Sequence, residues 1–310
     1  MMTEEILTRL LGGEPVSGQT LSEELGVTRA AVWKQIGQLR EAGFDIEACG
    51  GQGYRLASVP DSLMAPVIAR GLKTRWAGRR IVYLRSVDST NRYARALAAD
   101  GAAQGTLVVA DEQTAGRGRR GRGWVSPAGE GIFMTLILRP QAHPSHVARL
   151  SLQTALAVAR AIARVCEVDA RIKWPNDIVA LTHKGAAKAG GILLKEIGGL
   201  LTAGIGLNLS WAPGADLLRE GAALPAGKLA DAVPLHQNAP GASHARINDP
   251  YLLWCRIAAR IAREDPLELL ERWRALAEDY LLWKGENISV LDPEGPGSGR
   301  IEGRLFGLSS

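Results

Sequence analysis

Apolar positions in the first sixty residues recur at helical spacing in three stretches that glycines separate. The first predicted helix covers residues 4–11, and a second opens on a capping box over 20–23 and ends at Gly26. The third is expected to run from a cap at Thr28 to Ala42. Two short helices joined by a tight turn that contains glycine are typical of a helix-turn-helix.

Two short strand-like runs follow, over 44–47 and 54–56, on either side of a glycine-rich turn. They predict a β-hairpin wing and therefore a winged helix-turn-helix domain, whose second helix contacts DNA with its N-terminal residues. A packing domain without DNA affinity is the alternative, because residues 1–60 hold five Lys or Arg against eight Asp or Glu. The predicted DNA-binding residues are Thr28, Arg29, Ala30, Trp33 and Lys34.

Strand-length and helix-length apolar runs alternate beyond a proline-bounded linker over 60–66. The longest strand-length run, Ile132 to Leu138, is far shorter than the roughly 18 residues of a membrane span, so we expect no membrane segment. The predicted strands cover 81–84, 107–110, 132–138, 178–180, 192–194 and 201–209. One predicted helix ends at 100, and two more span 150–165 and 265–280.

The composition is that of an ordinary globular protein, with 46% hydrophobic and 22% charged residues in a chain of 310. It argues against a disordered chain, a collagen or a coiled coil, and the length allows about two domains and a small third. The N-terminus has no basic stretch followed by an apolar one, so we expect a cytoplasmic protein. Cys49, Cys166 and Cys255 lie too far apart to suggest a disulfide framework or a zinc site.

The sharpest local excess of positive charge lies in a loop over 113–124, which holds four arginines, four glycines and no acidic residue. Glycines let the backbone approach a ligand closely, and arginines bind carboxylate or phosphate groups. The loop lacks the Gly-Lys-Ser/Thr of a P-loop. Because it lies between two predicted strands, we expect a structured ligand loop and not a solvated basic loop or a disordered RNA-binding segment. Trp124 would stack on a base or cover the ligand.

Polar residues also lie at the ends of other predicted strands. Ser89 and Thr90 occupy a strand-to-helix junction, where they bind a ligand or only cap the helix. Lys188 is expected at the start of a hairpin strand, and Asn208 at the end of the next strand. Each of these signals is weak by itself.

A proline-containing turn over 173–177 is expected to open into a strand. It would bring together Lys173, Asn176 and Asp177, of which the lysine suits phosphate and the other two suit Mg²⁺. The alternative is a well-made turn around a buried Trp174.

Taken in order, these motifs resemble the bifunctional biotin protein ligases that also act as the biotin operon repressor. The resemblance covers nearly the whole chain, and the arginine-rich loop and the 173–177 turn are highly specific to that family. The motifs are Asp88-Ser89-Thr90-Asn91, Gly116-Arg117-Gly118-Arg119-Arg120-Gly121-Arg122, Lys173-Trp174-Pro175-Asn176-Asp177, Lys188-x-x-Gly191-Ile192-Leu193 and Gly204-Ile205-Gly206-x-Asn208.

This resemblance implies an α+β multidomain protein. The winged helix-turn-helix over 1–62 would precede a catalytic domain over 66–280, an α/β domain with a mixed sheet like that of class II aminoacyl-tRNA synthetases. A small SH3-like β domain over 281–310 would begin with strands at 288–292 and 301–308. We expect that last domain to be partial, because the chain ends before the family's remaining strands.

The family's reaction has two steps. The biotin carboxylate attacks the α-phosphate of ATP, which gives biotinyl-5′-AMP and pyrophosphate; a lysine of the biotin carboxyl carrier protein of acetyl-CoA carboxylase then takes the biotinyl group, and AMP leaves. Adenylation needs two anions held in line and cations that offset their repulsion, but no protein nucleophile. ATP, biotin and Mg²⁺ are thus the implied ligands.

Residue by residue, the resemblance also implies roles for the motif side chains. The implied catalytic residues are Arg119, Lys188 and Asp177, of which Asp177 is also the implied metal ligand. The implied biotin-binding residues are Ser89, Thr90, Asn91, Gln113, Gly116, Arg117, Gly118, Arg119 and Lys188. The implied ATP or AMP contacts are Arg119, Arg120, Arg122, Trp124, Lys173, Asn176 and Asn208. The 116–124 loop would fold over the adenylate and exclude water.

Operator DNA and a homodimer promoted by the adenylate are the remaining implied partners, with repression of the biotin biosynthesis genes as the outcome. Three alternatives stay open: a biotin-sensing repressor with weak or no ligation, a lipoate ligase, and a nucleic-acid-binding protein without catalysis. The intact loop arginines argue against the first, and the short C-terminus argues for it. The loop and the 173–177 turn favour biotin over lipoate.

Overall fold

The computed structural model describes residues 2–72, 74–139, 144–197, 199–214, 224–232, 287–291 and 300–304. Within this part of the chain, no helix is both long enough and apolar enough to cross a membrane.

Three helices and a two-stranded antiparallel sheet form the N-terminal domain. The elements are α1 (Met2–Leu10), α2 (Gly18–Leu25), α3 (Arg29–Glu41), β1 (Asp45–Cys49) and β2 (Gly53–Ser58). The predicted face of α3 is fully buried in the domain core: Val32, Ile36 and Leu39. The predicted helix-turn-helix and its wing are therefore confirmed.

The caps of the two helix-turn-helix helices agree only in part with the sequence pattern. Thr28 caps α3 as expected, since its hydroxyl accepts a hydrogen bond from the Ala31 amide at 3.2 Å. The predicted capping box over 20–23 is wrong. The helix α2 begins earlier, directly after Ser17, whose hydroxyl accepts from the Thr20 amide at 3.0 Å and satisfies that free N–H.

In the residues that the structure describes, the central domain contains three α-helices and seven strands. They are α4 (Ala65–Gly71), β3 (Ile81–Val87), α5 (Thr90–Ala99), β4 (Leu107–Gln113), β5 (Gly131–Leu138), α6 (Pro144–Cys166), β6 (Ala170–Lys173), β7 (Asp177–Thr182), β8 (Gly185–Ile197) and β9 (Leu200–Asn208). Every strand predicted for this region is present, although β8 begins before Lys188, so that Lys188 lies inside a strand rather than at its start.

One seven-stranded sheet organises these elements, in the order β3-β4-β5-β9-β8-β7-β6. The strands β3 and β4 are parallel, and all other neighbours are antiparallel, so the predicted mixed sheet is confirmed. Side chains alternate along β4: Leu107 and Val109 join the core that contains α6, whereas Val108 packs with α5 on the other face. The sheet thus lies between two helical layers.

Helix α4 touches both cores, because Val67 is buried with the N-terminal helices and Ile68 with the central sheet. Near the C-terminus, β10 (Asn287–Leu291) and β11 (Arg300–Arg304) pair as an antiparallel hairpin, at the place where two strands were expected. The predicted helix over 265–280 and the rest of the SH3-like domain lie outside the described residues. The domain boundaries stay predictions.

A pair of half-buried side chains on β3 and β4 makes stability depend on pH. The Tyr83 hydroxyl donates to an Asp111 carboxylate oxygen, and burial raises the pKa of Asp111 above its ordinary 3.8. The folded state therefore binds the Asp111 carboxyl proton more tightly than the unfolded state does. The stability that this protonation contributes is lost as pH rises through the raised pKa. We expect Asp111→Asn to gain stability relative to the wild type as pH rises from below the ordinary carboxyl range through the raised pKa, measured as urea midpoints. Parallel pH profiles would contradict this.

Candidate functional site

A cavity of about 540 Å³ opens in the central domain where six segments of the chain meet. Its walls come from the start of α5, the loop after β4, the turn between β6 and β7, and the middle of β5, β8 and β9. The predicted site residues that line it are Ser89, Thr90, Asn91, Gln113, Arg117, Gly118, Arg119, Arg120, Arg122, Trp124, Lys173, Asn176, Asp177 and Lys188. Residues that the sequence places up to a hundred positions apart therefore share one surface.

Two predicted residues are not part of this lining. Asn208 is buried, and its side-chain amide donates to the Gly227 carbonyl at 3.0 Å. Gly116 lies directly behind the lining, where a Cβ atom would be 2.3 Å from the Trp124 carbonyl oxygen. No larger residue fits at Gly116 unless the loop backbone moves.

At one end of the cavity, a line of hydrogen bonds runs in a single direction through four side chains. The Thr135 hydroxyl donates to the Thr90 hydroxyl at 3.0 Å, and Thr90 donates to Gln113 Oε1 at 3.0 Å. Gln113 Nε2 then donates to the Ser126 hydroxyl at 2.9 Å, and Ser126 to the Trp124 carbonyl at 3.2 Å. The hydroxyls of Thr90 and Ser126 both accept and donate, so the position of each proton is defined.

These bonds leave one hydrogen-bond acceptor and one donor for a ligand. Within the described contacts, Thr90 Oγ1 keeps one lone pair, and Gln113 Nε2 keeps one N–H. Ser89 is buried beside them at the N-terminus of α5, and its side chain makes no capping hydrogen bond there. Ser89 is therefore the N-cap residue of α5 by its backbone position, whereas its hydroxyl is not used for capping.

Asn91 has a more structural environment than its neighbours. Its Oδ1 accepts from the Thr202 hydroxyl at 3.3 Å, and its Nδ2 donates to the Leu193 carbonyl at 3.4 Å. Sequence reasoning missed Thr135, Thr202 and Ser126, which hold this end of the cavity. A signal existed for Thr135, because it is the single hydroxyl residue in the otherwise apolar run over 132–138.

The arginine-rich loop has a defined backbone. It forms a short turn at Arg119–Gly121, with Arg120 in the left-handed region at φ 56°, and paired positions at 117 and 123 hold its arms together. The Trp124 amide donates to the Gly116 carbonyl at 2.9 Å. Three further arginine side chains are exposed toward the cavity mouth: Arg117, Arg119 and Arg122.

A lysine and an aspartate form an ion pair at the opposite end of the cavity. Lys188 Nζ lies 2.7 Å from Asp177 Oδ1 and 5.6 Å from the centre of the Trp124 ring. Both side chains are partly shielded from water, which strengthens the pair compared with a surface one. The indole of Trp124 rests on β9, where a Cβ atom at Gly206 would lie 2.8 Å from its Nε1.

The 173–177 turn supplies the third wall. Arg119 donates to Asn176 Oδ1 at 2.7 Å, and Asn176 Nδ2 donates to the Ile192 carbonyl at 3.1 Å, so the loop and the turn are joined. Trp174 is 61% exposed, so the alternative of a turn around a buried tryptophan is wrong. In the described ranges, no three His, Cys, Asp or Glu residues cluster as a metal site.

A second predicted site lies on the N-terminal domain. All five predicted DNA-binding residues are exposed at the start of α3, and Trp33 is 68% exposed, a costly arrangement for a large apolar side chain. Thr28 also serves as the helix cap.

Comparison with known proteins finds a match for part of each of these two domains. Residues 83–210 match the biotin/lipoate A/B protein ligase family, and residues 3–55 match an HTH domain. The chain is therefore similar to the biotin/lipoate A/B protein ligase family over its central sheet and to HTH domains over its N-terminal helices and wing.

Two similar proteins carry the name of a combined ligase and repressor. The bifunctional ligase/repressor BirA of Bacillus spizizenii is 46% identical over 168 residues, 54% of this chain and 52% of that protein. The protein of the same name from Escherichia coli is 33% identical over 211 residues, 66% of this chain and 63% of that one. The chain thus matches about half to two thirds of these relatives' length.

Among solved structures, the biotin protein ligase from Aquifex aeolicus in complex with biotin and ATP is similar to this chain. It has a TM-score of 0.57 and 26% sequence identity, and the match covers 74% of this chain and 88% of that one.

Proposed function

We propose that the central domain is an ATP-dependent biotin protein ligase. It would join biotin and ATP to biotinyl-5′-AMP with release of pyrophosphate, and then transfer the biotinyl group to a lysine of a biotin carboxyl carrier protein with release of AMP. The observation that carries the proposal is one cavity with a neutral donor–acceptor pair at one end and cations at the other. The similar Aquifex aeolicus structure, which holds biotin and ATP, supports it.

The neutral end suits the ureido ring of biotin. A ureido group offers N–H donors beside a carbonyl acceptor, and the free lone pair of Thr90 and free N–H of Gln113 complement them. Ser89, Asn91, Arg117 and Gly118 complete the proposed biotin contacts, and Gly116 lets the loop backbone pack closely behind Gln113. Apolar side chains of the same cavity wall would cover the rest of the molecule: Met134, Ile192, Leu193 and Ile205.

The cationic end suits the reacting carboxylate and triphosphate. These two anions repel each other, and a fixed cation beside them lowers the energy of the in-line arrangement. Lys188 and Arg119 are the proposed catalytic cations. Lys188, on β8, lies beside Trp124, and Arg119, on the arginine-rich loop, donates to Asn176. The proposed contacts to ATP or AMP are Arg119, Arg120, Arg122, Trp124, Lys173 and Asn176. Asn208, a contact that the resemblance implies, would have to release the Gly227 carbonyl to reach the ligand.

Asp177 has a proposed role in the second step. The carrier lysine must lose a proton before it attacks, and this carboxylate lies at the site, paired with Lys188 at 2.7 Å. Asp177 is also the proposed Mg²⁺ contact. The described residues form no clustered metal site, and Asp177 already has a cationic partner, so Mg²⁺ would enter mainly with the ATP phosphates.

The N-terminal domain extends the proposal to regulation. Exposed residues at the start of α3 would contact operator DNA, and the chain would repress biotin biosynthesis genes when its central site holds the adenylate. An adenylate-promoted homodimer would supply two such domains to a two-fold operator.

A transfer assay tests the enzymatic part. Purified chain is mixed with ATP, Mg²⁺, labelled biotin and an apo carrier domain, and labelled lipoate replaces biotin in the control. We expect label on the carrier with biotin and none with lipoate. Transfer of lipoate would indicate a lipoate ligase, whereas biotin binding without any adenylate would indicate a sensor-repressor.

A further inference from the structure

We propose that Ser126 is a positioning residue for biotin, which acts by fixing the orientation of the Gln113 amide. The inference rests on the proposed function, because it concerns how the proposed biotin contact is held. Ser126 is 3% exposed and is not among the residues that line the cavity. Any effect of Ser126 on a bound ligand must therefore pass through other side chains.

The contacts of Ser126 lead directly to Gln113. Its hydroxyl accepts from Gln113 Nε2 at 2.9 Å and donates to the Trp124 carbonyl at 3.2 Å. The two residues are also linked through the backbone, since the Gln113 amide donates to the Ser126 carbonyl at 3.1 Å. Because the Ser126 proton is used by Trp124, the serine oxygen presents an acceptor to Gln113.

A glutamine amide needs such a partner, since its oxygen and nitrogen have nearly the same shape. On one side, Gln113 Oε1 accepts from the Thr90 amide at 2.9 Å and from the Thr90 hydroxyl at 3.0 Å. On the other side, Ser126 provides an acceptor for Nε2. A flipped amide would set N–H against N–H at Thr90 and would lose the ligand-facing donor.

The surrounding space is too tight for another group to replace the serine hydroxyl. A Cβ atom at Gly116 would lie 2.9 Å from Ser126 Oγ and 3.1 Å from Gln113 Nε2. The amide and hydroxyl therefore pack against bare backbone. Removal of the hydroxyl leaves the inner N–H of Gln113 buried without an acceptor, which favours other orientations of the amide.

A double-mutant cycle separates positioning from general damage. Biotin binding is measured by calorimetry for the wild type, Ser126→Ala, Gln113→Ala and the double variant. We expect Ser126→Ala to weaken binding about tenfold, and to have no further effect when Gln113 is already alanine. Ser86→Ala is the matched control, because it removes an exposed hydroxyl that donates to Glu112 at 2.8 Å and should leave binding unchanged.

The outcomes are distinct. A wild type that does not bind biotin would overturn the proposed function. A wild type that binds, together with a Ser126→Ala variant of equal affinity, would overturn the positioning role alone. Additive losses in the double variant would also overturn it, since they would show that Ser126 acts through the general packing of the domain.

Discussion

Replacing Lys188 with methionine is expected to slow adenylate formation by about 10²–10³-fold. Methionine keeps much of the length of the side chain but removes the charge that lies 2.7 Å from Asp177. The carboxylate of Asp177 then stays beside the two reacting anions without its cation, so repulsion grows at the point where the lysine formerly reduced it. The measurement is pyrophosphate release in a single turnover with saturating biotin and ATP.

Lys195→Met is the matched control for this prediction. Lys195 lies on the same strand, β8, but it is exposed and does not line the cavity. We expect its adenylation rate to equal that of the wild type. Equal rates for Lys188→Met and the wild type would remove Lys188 from the catalytic residues, and a thermal unfolding curve shows whether either variant is folded.

Local patterns were sufficient to predict most of the fold. Helical spacing identified the buried side of α3 because burial of Val32, Ile36 and Leu39 is what stabilises that helix. Apolar runs identified the central strands because a sheet covered on both faces has little room for polar residues. The start of α2 was predicted less well, since Ser17 and Thr20 are both good capping residues. Only the observed hydrogen bond from the Thr20 amide to the Ser17 hydroxyl selects Ser17.

The sequence predicted most of the residues that line the cavity, but not the hydrogen bonds between them. Unusual residue types at strand ends and in the arginine-rich loop marked most of the residues that meet in the cavity. The hydrogen-bonded line from Thr135 to Trp124 depends on which strands lie side by side and on side-chain orientation. Neither is encoded in local spacing. Trp174 shows the opposite error, because an apolar residue type suggested burial and the turn exposes it.

The wing provides the second large prediction, which separates the two proposed functions. We expect Gly53→Ala to destabilise the N-terminal domain by about 2–5 kcal/mol and to abolish DNA binding, while biotin transfer by the central domain persists. Gly53 has φ +106°, and a Cβ atom there would lie 2.1 Å from the Val16 carbonyl oxygen and 2.4 Å from Ser17 Cα. Both atoms belong to backbone, which cannot swing aside as a side chain can.

The same overlap would also break the contact that joins the wing to the start of α2. Val16 and Tyr54 exchange two backbone hydrogen bonds of 2.8 Å directly beside Gly53, and both would lengthen if the chains moved apart. Gly51→Ala is the matched control. Gly51 lies in the same turn at φ +78° with no atom within 4 Å of a Cβ, so it carries only the backbone penalty of about 1–2 kcal/mol.

Two measurements on each variant decide the matter: a gel shift with promoter DNA of the biotin biosynthesis genes, and label transfer to the carrier domain. Gly53→Ala should lose the shift and keep the transfer, because the central sheet has its own core and its own cavity. Gly51→Ala should keep both. A Gly53→Ala variant that shifts DNA like the wild type would show that the wing is not required for DNA binding. Loss of both activities would show instead that the central site depends on an intact N-terminal domain, through contacts such as those of α4.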